Sequence, residues 1–373
     1  KFSMNIFVIA TTLQAGGGIT IYKQFLSHLP KYIGHDKYWI FVNPILPQVV
    51  IEGVEYISFP LQSKMKRILF EGKLLQREIT KLRVKPDILV SLQNNGYKEI
   101  KGCKQIVYYH QPMPLYPGVW NPFKSQERSQ FLYKYIFPHI VKRTWAKNIQ
   151  FVVQIPFIKR RMVEFFGIPE RNIHLCFPDV ERIDVENVKP YAFKNNAYHF
   201  LCVVVGDVPR YKNLLTLIRA AVILKRNYKE TYKSVEIHLT TTAGDACVWA
   251  AEVKKYGVED IIKFDGKYKH DELLGLYKNA DALLFPSYIE TLGLPLLEAA
   301  AFGLPVLAAD VDYAHEVLKD YEGVRYIDVF DYEGWARNII EFGMNKKRYR
   351  PLPQNRESDW GRFFDLIKSA KYE

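Results

Sequence analysis

Short β-branched apolar runs alternate with helical patterns along most of the chain, and this alternation limits the possible fold more than any other feature. Such runs are typical of buried strands in a parallel sheet that has helices on both faces. In the first half of the chain they occupy residues 4–12, 38–44, 86–92, 104–112 and 149–155. The sequence therefore predicts an α/β fold with a Rossmann-like, doubly wound parallel sheet.

The alternation weakens at residues 177–200, which are rich in charge, Pro and Asn, and then restarts. Strand-like runs return at 200–207, 234–242, 261–266, 280–287 and 304–310. A chain of 373 residues is also longer than a single core usually becomes. We therefore expect two Rossmann-like domains, 1–185 and 186–357, and an amphipathic helix at 358–373 that packs back on the first. Ligands of such sheets bind beyond the carboxyl ends of the strands, so two facing domains would form a cleft.

The chain is basic, with 52 Lys and Arg against 40 Asp and Glu, and this predicts an acidic partner. Nucleic acid, an anionic membrane surface and a phosphorylated small molecule all fit the charge. Residues 61–86 combine eight Lys and Arg with apolar residues at near-helical spacing. That pattern is typical of a helix on a membrane surface, or of an ordinary surface helix with a solvated basic face. We expect a cytoplasmic protein, because no apolar run is long enough to span a bilayer. The segment 61–86 could in addition hold it on the inner face of the membrane.

Two other features concern partners. Residues 123–151 interleave basic and aromatic side chains, a pattern that could bind single-stranded nucleic acid by stacking. Helical packing explains these aromatic residues equally well and no nucleic-acid-binding motif accompanies them, so we predict no nucleic-acid partner. The four cysteines are widely spaced, which fits neither a zinc knuckle nor a dense disulfide framework.

The segment 286–310, PSYIETLGLPLLEAAAFGLPVLAAD, places a single charge, Glu298, in an otherwise apolar helical run. A carboxylate in such surroundings needs a partner. A ribose diol would satisfy it, and the alternative is a salt bridge to a buried Arg or Lys. The helix is predicted to begin near Gly293, so the backbone N–H groups of Thr291, Leu292 and Gly293 would suit an anion.

A pair of cations lies upstream, where Arg210 and Lys212 follow a predicted strand and a turn at Gly206. Two cations at the carboxyl end of a strand can neutralise a diphosphate, the Arg through bidentate contacts and the Lys as a point charge. Arg210 could instead form an ion pair with Asp207. Phosphate binding is the prediction for both cations.

In the first half, Gly16, Gly17 and Gly18 follow the first predicted strand, and His110 ends the strand at 104–112. Glycines let the backbone approach a ligand closely, although a tight strand–helix turn explains them equally well. The spacing matches neither a dinucleotide-binding fingerprint nor a P-loop. His110 would face the expected cleft, whereas most single histidines are structural.

The order Pro286-Ser287, Glu290, Gly293-Leu294-Pro295, Glu298, Gly303 and Pro305-Val306 resembles a known pattern. It is similar to the Glu-x7-Glu region of family 4 of the retaining, nucleotide-sugar-dependent glycosyltransferases, a family of group 1 glycosyl transferases. The resemblance covers nearly the whole chain and is strongest from about residue 200 to residue 320. It implies the GT-B architecture, in which two Rossmann-like domains face a cleft.

The resemblance also implies roles for individual residues. Lys212 and Arg210 would bind the diphosphate, although the family's Arg more often follows the Gly directly, where this chain has Asp207. Whether Arg210 replaces that Arg stays open. Glu298 would bind the ribose, Glu290 a hydroxyl of the donor sugar, and His110 would orient that sugar. The glycine-rich loop, including Gly17 and Gly18, would reach the donor phosphates or the acceptor.

The implied reaction is transfer of a sugar from a UDP- or GDP-linked donor to a hydroxyl of a saccharide or lipid-linked acceptor, with retention at the anomeric carbon. Bacterial surface polysaccharide synthesis is the implied setting. A front-face and a double-displacement mechanism both remain open. No cofactor and no metal are expected, because Asp310-x-Asp312 follows a different strand from the metal-binding Asp-x-Asp of the other glycosyltransferase fold.

Two alternatives remain at this point. One is a sugar-nucleotide epimerase of the same fold, which would be active without an acceptor. The other is a non-catalytic basic protein that binds a membrane or nucleic acid. The presence of Lys212, Glu290 and Glu298 together argues against the second alternative.

Overall fold

Two parallel β-sheets organise the chain, one in each of the two units into which it divides. The computed structural model describes residues 3–13, 17–59, 75–116, 118–123, 127–142, 145–204 and 208–370. One unit comprises Lys1–Val180 together with Glu357–Glu373, and the other comprises Glu181–Arg356. The predicted fold class, two α/β domains with parallel sheets, is confirmed.

The first unit is built on a seven-stranded sheet. Its strands are β1 (Asn5–Ala10), β2 (Lys37–Val42), β3 (Val54–Ser58), β4 (Ile88–Ser91), β5 (Lys104–Tyr108), β6 (Gln150–Val153) and β7 (Ile173–Leu175). They lie in the order β3-β2-β1-β4-β5-β6-β7, and all neighbours pair in parallel. The direction of winding therefore reverses between β1 and β4.

Helices connect these strands, as the alternation in the sequence predicts. They are α1 (Gly17–Tyr32), α2 (Leu75–Leu82), α3 (Arg128–Phe131), α4 (Phe137–Lys142) and α5 (Pro156–Phe166), with a π-helical turn (Leu132–Ile136) between α3 and α4. The core strands are apolar on both faces because helices cover both faces of the sheet. In β1, for example, every residue from Ile6 to Ala10 is fully buried.

The second unit is built on a six-stranded parallel sheet. Its strands are β8 (Tyr198–Cys202), β9 (Val235–Leu239), β10 (Ile262–Phe264), β11 (Ala282–Phe285), β12 (Val306–Ala309) and β13 (Val324–Ile327). Its helices are α6 (Leu214–Asn227), α7 (Lys229–Tyr232), α8 (Cys247–Tyr256), α9 (His270–Asn279), α10 (Leu294–Ala301), α11 (Asp312–Val317) and α12 (Tyr332–Met344). The strand order is β10-β9-β8-β11-β12-β13, so the winding reverses between β8 and β11.

Three strands, β3, β7 and β13, are absent from the sequence-based prediction. All three lie at an edge of a sheet. Edge strands are covered less completely than central strands, and no residue of β3 or β13 is buried. These strands therefore lack the continuous apolar run by which the central strands are recognised.

The final helix, α13 (Trp360–Ser369), belongs to the first unit although it follows the second in sequence. Its apolar face consists of Trp360, Phe363, Phe364 and Ile367, all of which are buried. Phe364 stacks on Phe25 of α1 with ring centroids 5.5 Å apart. The strongly amphipathic sequence of this segment is thus explained by packing in the core of the first unit.

The basic segment 61–86 lies only partly within the described residues, which include it from Leu75 onward. In the described part, α2 buries Leu75 and Ile79 against the sheet of the first unit. A membrane-surface role for this segment stays a prediction. None of the described helices is both long and apolar enough to cross a lipid bilayer.

Candidate active site

The residues of the second unit that are predicted to bind the diphosphate and the sugar lie at the point where the winding of its sheet reverses. Lys212 is in a short 3-10 helix (Arg210–Lys212) that follows β8, and Glu290 is in the loop that follows β11. These two strands are neighbours in the sheet. In open α/β sheets ligands bind beyond the carboxyl ends of the strands at such a reversal, because the loops separate there and leave a crevice.

Lys212 and Glu290 form an ion pair across these two loops. The Lys212 Nζ lies 2.5 Å from the Glu290 Oε1, and the Ser287 Oγ donates to the same carboxylate oxygen over 2.8 Å. Burial lowers the pKa of Lys212, but the charge of Glu290 and its hydrogen bond outweigh burial and raise that pKa above its ordinary value. Lys212 is therefore a stable cation at neutral pH.

Backbone and side-chain hydrogen bonds hold the two loops together around this ion pair. The Tyr288 N–H donates to the carbonyl oxygen of Tyr211 over 3.0 Å. Asn213, in a left-handed conformation with φ of 57°, donates its side-chain amide to the carbonyl oxygen of Pro286. The Tyr313 hydroxyl donates to the carbonyl oxygen of Ser287 over 2.5 Å. These hydrogen bonds fix the two loops that carry Lys212 and Glu290 relative to each other.

Glu298 lies in the middle of α10, and its partner is a tyrosine. The Tyr277 hydroxyl, fully buried in α9, donates to the Glu298 Oε2 over 2.7 Å. Burial raises the pKa of Glu298, although the hydrogen bond from Tyr277 acts in the opposite direction. The alternative of a salt bridge to a buried Arg or Lys is not realised among the described residues. A carboxylate accepts about four hydrogen bonds in all, so Glu298 retains capacity for a diol.

The backbone N–H groups that the sequence analysis proposes as donors lie at the start of α10. Gly293 precedes the helix with φ of 72°, a left-handed conformation that favours glycine. Among the described residues, no protein atom accepts a hydrogen bond from the backbone N–H of Thr291, Leu292 or Gly293. N–H groups in this position attract an anion because the helix dipole has its positive end there.

Of the remaining residues of this unit that are predicted to bind the donor, some lie within the described residues and some do not. Arg210 begins the 3-10 helix that contains Lys212, so both cations lie in the same turn. Gly206 and Asp207 lie outside the described residues, and with them the suggested ion pair between Arg210 and Asp207. The phosphate-binding role of Arg210 stays a prediction.

The predicted residues of the first unit lie close to one another. His110 lies two residues after the end of β5 and is held by two hydrogen bonds. Its backbone N–H donates to the Asn94 Oδ1, and its ring Nε2 bonds to the carbonyl oxygen of Leu92. A Cβ atom added to Gly18 in α1 would lie 3.1 Å from the His110 Cε1, so a glycine lets the helix start approach this ring. Gly17 begins α1 and has open space around it, whereas Gly16 lies outside the described residues.

Burial lowers the pKa of His110, so the ring is neutral at neutral pH. With its Nε2 at hydrogen-bond distance from a carbonyl oxygen, this nitrogen carries the ring proton and the tautomer is fixed. His110 can thus act as a positioning group of defined orientation. The neutral ring carries no positive charge.

Tyr277 and Tyr313 are site residues that no sequence pattern indicated, and Ser287 belongs to the pattern quoted above but has no role assigned from the sequence. Each acts through its side-chain hydroxyl, which contacts Glu298 in the case of Tyr277, Glu290 in the case of Ser287, and the carbonyl oxygen of Ser287 in the case of Tyr313. Their sequence surroundings are ordinary amphipathic helix or strand end. Contacts between segments far apart in sequence decide their roles, so no local pattern signals them.

Residues 189–358 match the family model "Glycosyl transferases group 1". The O-antigen chain mannosyltransferase RfbU of Salmonella typhimurium is 25% identical over 210 residues, which are 56% of this chain and 55% of that protein. The chain spans about half, or less, of the length of the curated relatives that it matches.

Solved structures agree in fold over the whole chain. WaaG, a glycosyltransferase involved in lipopolysaccharide biosynthesis, has a TM-score of 0.61 at 14% identity, over 99% of this chain and 94% of WaaG. Anabaena Alr3699/HepE in complex with UDP and glucose has a TM-score of 0.59 at 12% identity, over 98% of this chain and 100% of that chain. The chain is therefore similar to the group 1 glycosyl transferases over residues 189–358, and it has the two-domain GT-B fold of glycosyltransferases.

Proposed function

We propose that this chain is a retaining glycosyltransferase of family 4, which transfers a sugar from a nucleoside diphosphate donor to a hydroxyl of a saccharide or lipid-linked acceptor. The observation that carries the proposal is the ion pair of Lys212 and Glu290, placed where the winding of the second sheet reverses. Support also comes from the group 1 match at 189–358 and from the HepE structure, which holds UDP and glucose.

In the proposed reaction the diphosphate leaves with increasing negative charge as the bond to the anomeric carbon breaks. The Lys212 ammonium has three N–H donors, of which Glu290 uses one, so others are available to a phosphate oxygen. The backbone N–H groups at Thr291–Gly293 add fixed dipoles. Charges and dipoles that are already oriented stabilise the transition state without further reorganisation. A metal ion is not required in this scheme.

Two carboxylates are assigned to hydroxyl groups of the donor. Glu298 would accept hydrogen bonds from the ribose diol while Tyr277 holds its carboxylate in place. Glu290 would accept from a hydroxyl of the sugar while Ser287 and Lys212 orient it. For His110 the proposal keeps the role that the resemblance implies, which is to orient the sugar, and for Gly17 and Gly18 it keeps the role of leaving room for the donor or the acceptor.

A thermal-shift panel tests the proposal directly, because a ligand that binds the native state stabilises it by RT ln(1 + [L]/Kd). The panel contains UDP, GDP and their sugar conjugates, in buffer without added Mg²⁺ or Mn²⁺. We expect one nucleoside diphosphate series to raise the Tm, and adenosine diphosphate to have a smaller effect. If no nucleoside diphosphate or nucleotide sugar raises the Tm, the proposal is wrong.

The product of the stabilising donor then identifies the reaction. We expect transfer to a saccharide acceptor with the anomeric configuration of the donor, as measured by NMR of the product. The named activity of RfbU, mannosyl transfer to the O-antigen chain, makes mannose and a lipid-linked oligosaccharide the first pair to try. Conversion of the sugar nucleotide without any acceptor would instead identify an epimerase.

Replacement of Glu298 with glutamine is expected to weaken nucleotide binding without lowering the stability of the folded protein. Burial raises the pKa of Glu298, so the folded state holds this proton more tightly than the unfolded state and loses stability as pH rises through the folded pKa. Glutamine carries no charge, so E298Q is expected to be at least as stable as the wild type at pH 7. Its affinity for the nucleoside diphosphate is expected to fall roughly 10-fold, because hydrogen bonds to charged groups contribute about 1.5–3 kcal/mol.

Urea unfolding at pH 5 to 8 and isothermal titration with the selected nucleotide measure the two effects of E298Q. Glu341→Gln is the matched control, because Glu341 is an exposed carboxylate of the same unit that pairs with Arg325. Unchanged nucleotide affinity in E298Q would remove Glu298 from the ribose site.

A further inference from the structure

A cluster of two histidines and one glutamate lies in the second unit, separate from the loops discussed above. His199 is in β8, and Glu236 and His238 are in β9. His199 is paired with Glu236 in the parallel register, and residues two apart in a strand point to the same face. The three side chains therefore meet on one face of the sheet. Both histidines are buried and Glu236 is partly buried.

Three atoms of this cluster converge. The His199 Nδ1 lies 3.0 Å from the His238 Nε2. The Glu236 Oε2 lies 3.5 Å from the His199 Nδ1 and 3.6 Å from the His238 Nε2. The three atoms thus form a nearly regular triangle of potential ligands.

The outer atoms of the same side chains are held by other groups. The His238 Nδ1 lies 2.6 Å from the Asp265 Oδ2, and the His199 Nε2 lies 3.2 Å from the carbonyl oxygen of Asn195. The Asn195 side-chain amide donates to the Glu236 Oε1 over 3.0 Å. Each of the three side chains is therefore held by a hydrogen bond on the side that faces away from the centre of the cluster.

Counting hydrogens shows what the centre of the cluster requires. A carbonyl and a carboxylate oxygen only accept hydrogen bonds, so the outer nitrogen of each ring carries a proton. If each ring holds only that proton, the inner nitrogens of His199 and His238 each present a lone pair, and both face a carboxylate oxygen of Glu236. Three lone pairs at 3.0 to 3.6 Å repel one another unless a proton or a metal cation lies between them.

We propose that His199, Glu236 and His238 bind one Zn²⁺ ion through the His199 Nδ1, the His238 Nε2 and the Glu236 Oε2. Ligand atoms at 2.0–2.2 Å from a tetrahedral ion lie about 3.3–3.6 Å apart, whereas octahedral neighbours lie about 3.0 Å apart. Two of the three observed separations, 3.5 and 3.6 Å, match the tetrahedral value. Two imidazoles and one carboxylate leave one position of the tetrahedron for water or another ligand.

The surroundings are those that zinc ligands usually have. A zinc-binding histidine generally donates its second N–H to a carboxylate or a carbonyl oxygen, which fixes the tautomer and the ring orientation. Asp265 and the Asn195 carbonyl oxygen occupy these two positions. Phe193 stacks on the His199 ring with centroids 3.8 Å apart and covers it.

The ion would join β8 and β9 to the segment that precedes β8, since Asn195 and Phe193 both contact the ligands. Its role is structural and does not depend on the proposed transfer reaction. No metal is expected from the sequence, and this site would be an exception outside that reaction.

Metal content of the full-length protein tests the proposal. The protein is purified without a polyhistidine tag, stripped with a chelator, and titrated with Zn²⁺ against a chromophoric competitor. We expect one equivalent to bind, Co²⁺ to give the visible absorption of a tetrahedral complex, and Mg²⁺ not to compete. At about 100-fold excess over the Kd, Zn²⁺ is expected to raise the Tm of the stripped protein by roughly 5 to 10 °C.

Three variants make the assignment specific. Glu236→Gln keeps the size of a ligand and is expected to abolish stoichiometric binding, and Asp265→Asn is expected to weaken it about 10- to 100-fold by loosening a ligand. His270→Ala is the control, because His270 is a half-exposed histidine of the same unit outside the cluster.

Failure of the stripped wild-type protein to bind one equivalent of Zn²⁺ would overturn the proposal and leave a proton shared between the two rings. Equal Zn²⁺ affinity in the wild type and in Glu236→Gln would overturn it as well. Because metal content and nucleotide binding are separate measurements, failure of this site is distinguishable from failure of the transferase proposal.

Discussion

Replacing Lys212 with alanine is expected to lower kcat for sugar transfer by about 10²- to 10³-fold, the usual effect of removing one preorganised electrostatic contact to a transition state. Lys212 is a firm cation, because its ion pair with Glu290 raises its pKa. The charge that develops on the leaving diphosphate would lose this cation. KM for the donor is expected to change less than kcat, since the interaction strengthens as the bond breaks.

Lys346→Ala is the matched control for this prediction. Lys346 belongs to the same unit, and its Nζ lies 3.3 Å from the Oδ1 of Asp281, a largely buried carboxylate. Its loss disturbs an ion pair away from the proposed site, so kcat is expected to stay within about twofold of the wild type. Lys212→Arg, which keeps the charge but changes its shape, is expected to retain part of the activity. Full activity in Lys212→Ala would exclude the diphosphate role.

Replacing Trp360 with alanine is expected to destabilise the protein by about 3–5 kcal/mol, the usual range for a large aromatic side chain removed from a core. Trp360 is fully buried at the start of α13. Its ring stacks on Tyr108 and on His28, with centroids 5.8 Å apart in each case. Its indole N–H donates to the Gln24 Oε1 over 3.2 Å.

Urea unfolding followed by circular dichroism measures this loss. Phe330→Ala is the control, because Phe330 is an aromatic residue of the second unit that is 63% exposed. Its replacement is expected to change the free energy of unfolding by less than about 0.5 kcal/mol. A loss as small as that of the control in Trp360→Ala would show that α13 contributes little to the first unit.

Much of the fold is predictable from the sequence, because central strands of a parallel sheet are apolar on both faces and stand out as short runs. β1, β8 and β11 are examples, and their places in the sequence also locate the loops that follow them. The edge strands β3 and β13 were missed because they are half-exposed and mixed in character. Edge pairing depends on the neighbouring strand more than on the strand's own sequence.

The candidate site is predictable in its charges and not in its hydrogen bonds. Glu298, Glu290 and Lys212 could be singled out because a charge in an apolar run, or after a strand, is unusual. The hydrogen bond from Tyr277 to Glu298 joins residues that are 21 positions apart in sequence. The ion pair of Lys212 and Glu290 joins residues that are 78 positions apart. His199, Glu236 and His238 escaped notice for the same reason, because only the register of β8 and β9 brings them together.

Isothermal titration with the nucleoside diphosphate that stabilises the wild type most tests the central claim, that the loops after β8 and β11 bind the donor. The wild type is compared with the double variant Lys212→Ala/Glu298→Gln. We expect one binding site in the wild type and at least about 100-fold weaker binding in the double variant, since two charge-assisted contacts are lost. Equal affinity in both proteins would contradict the account.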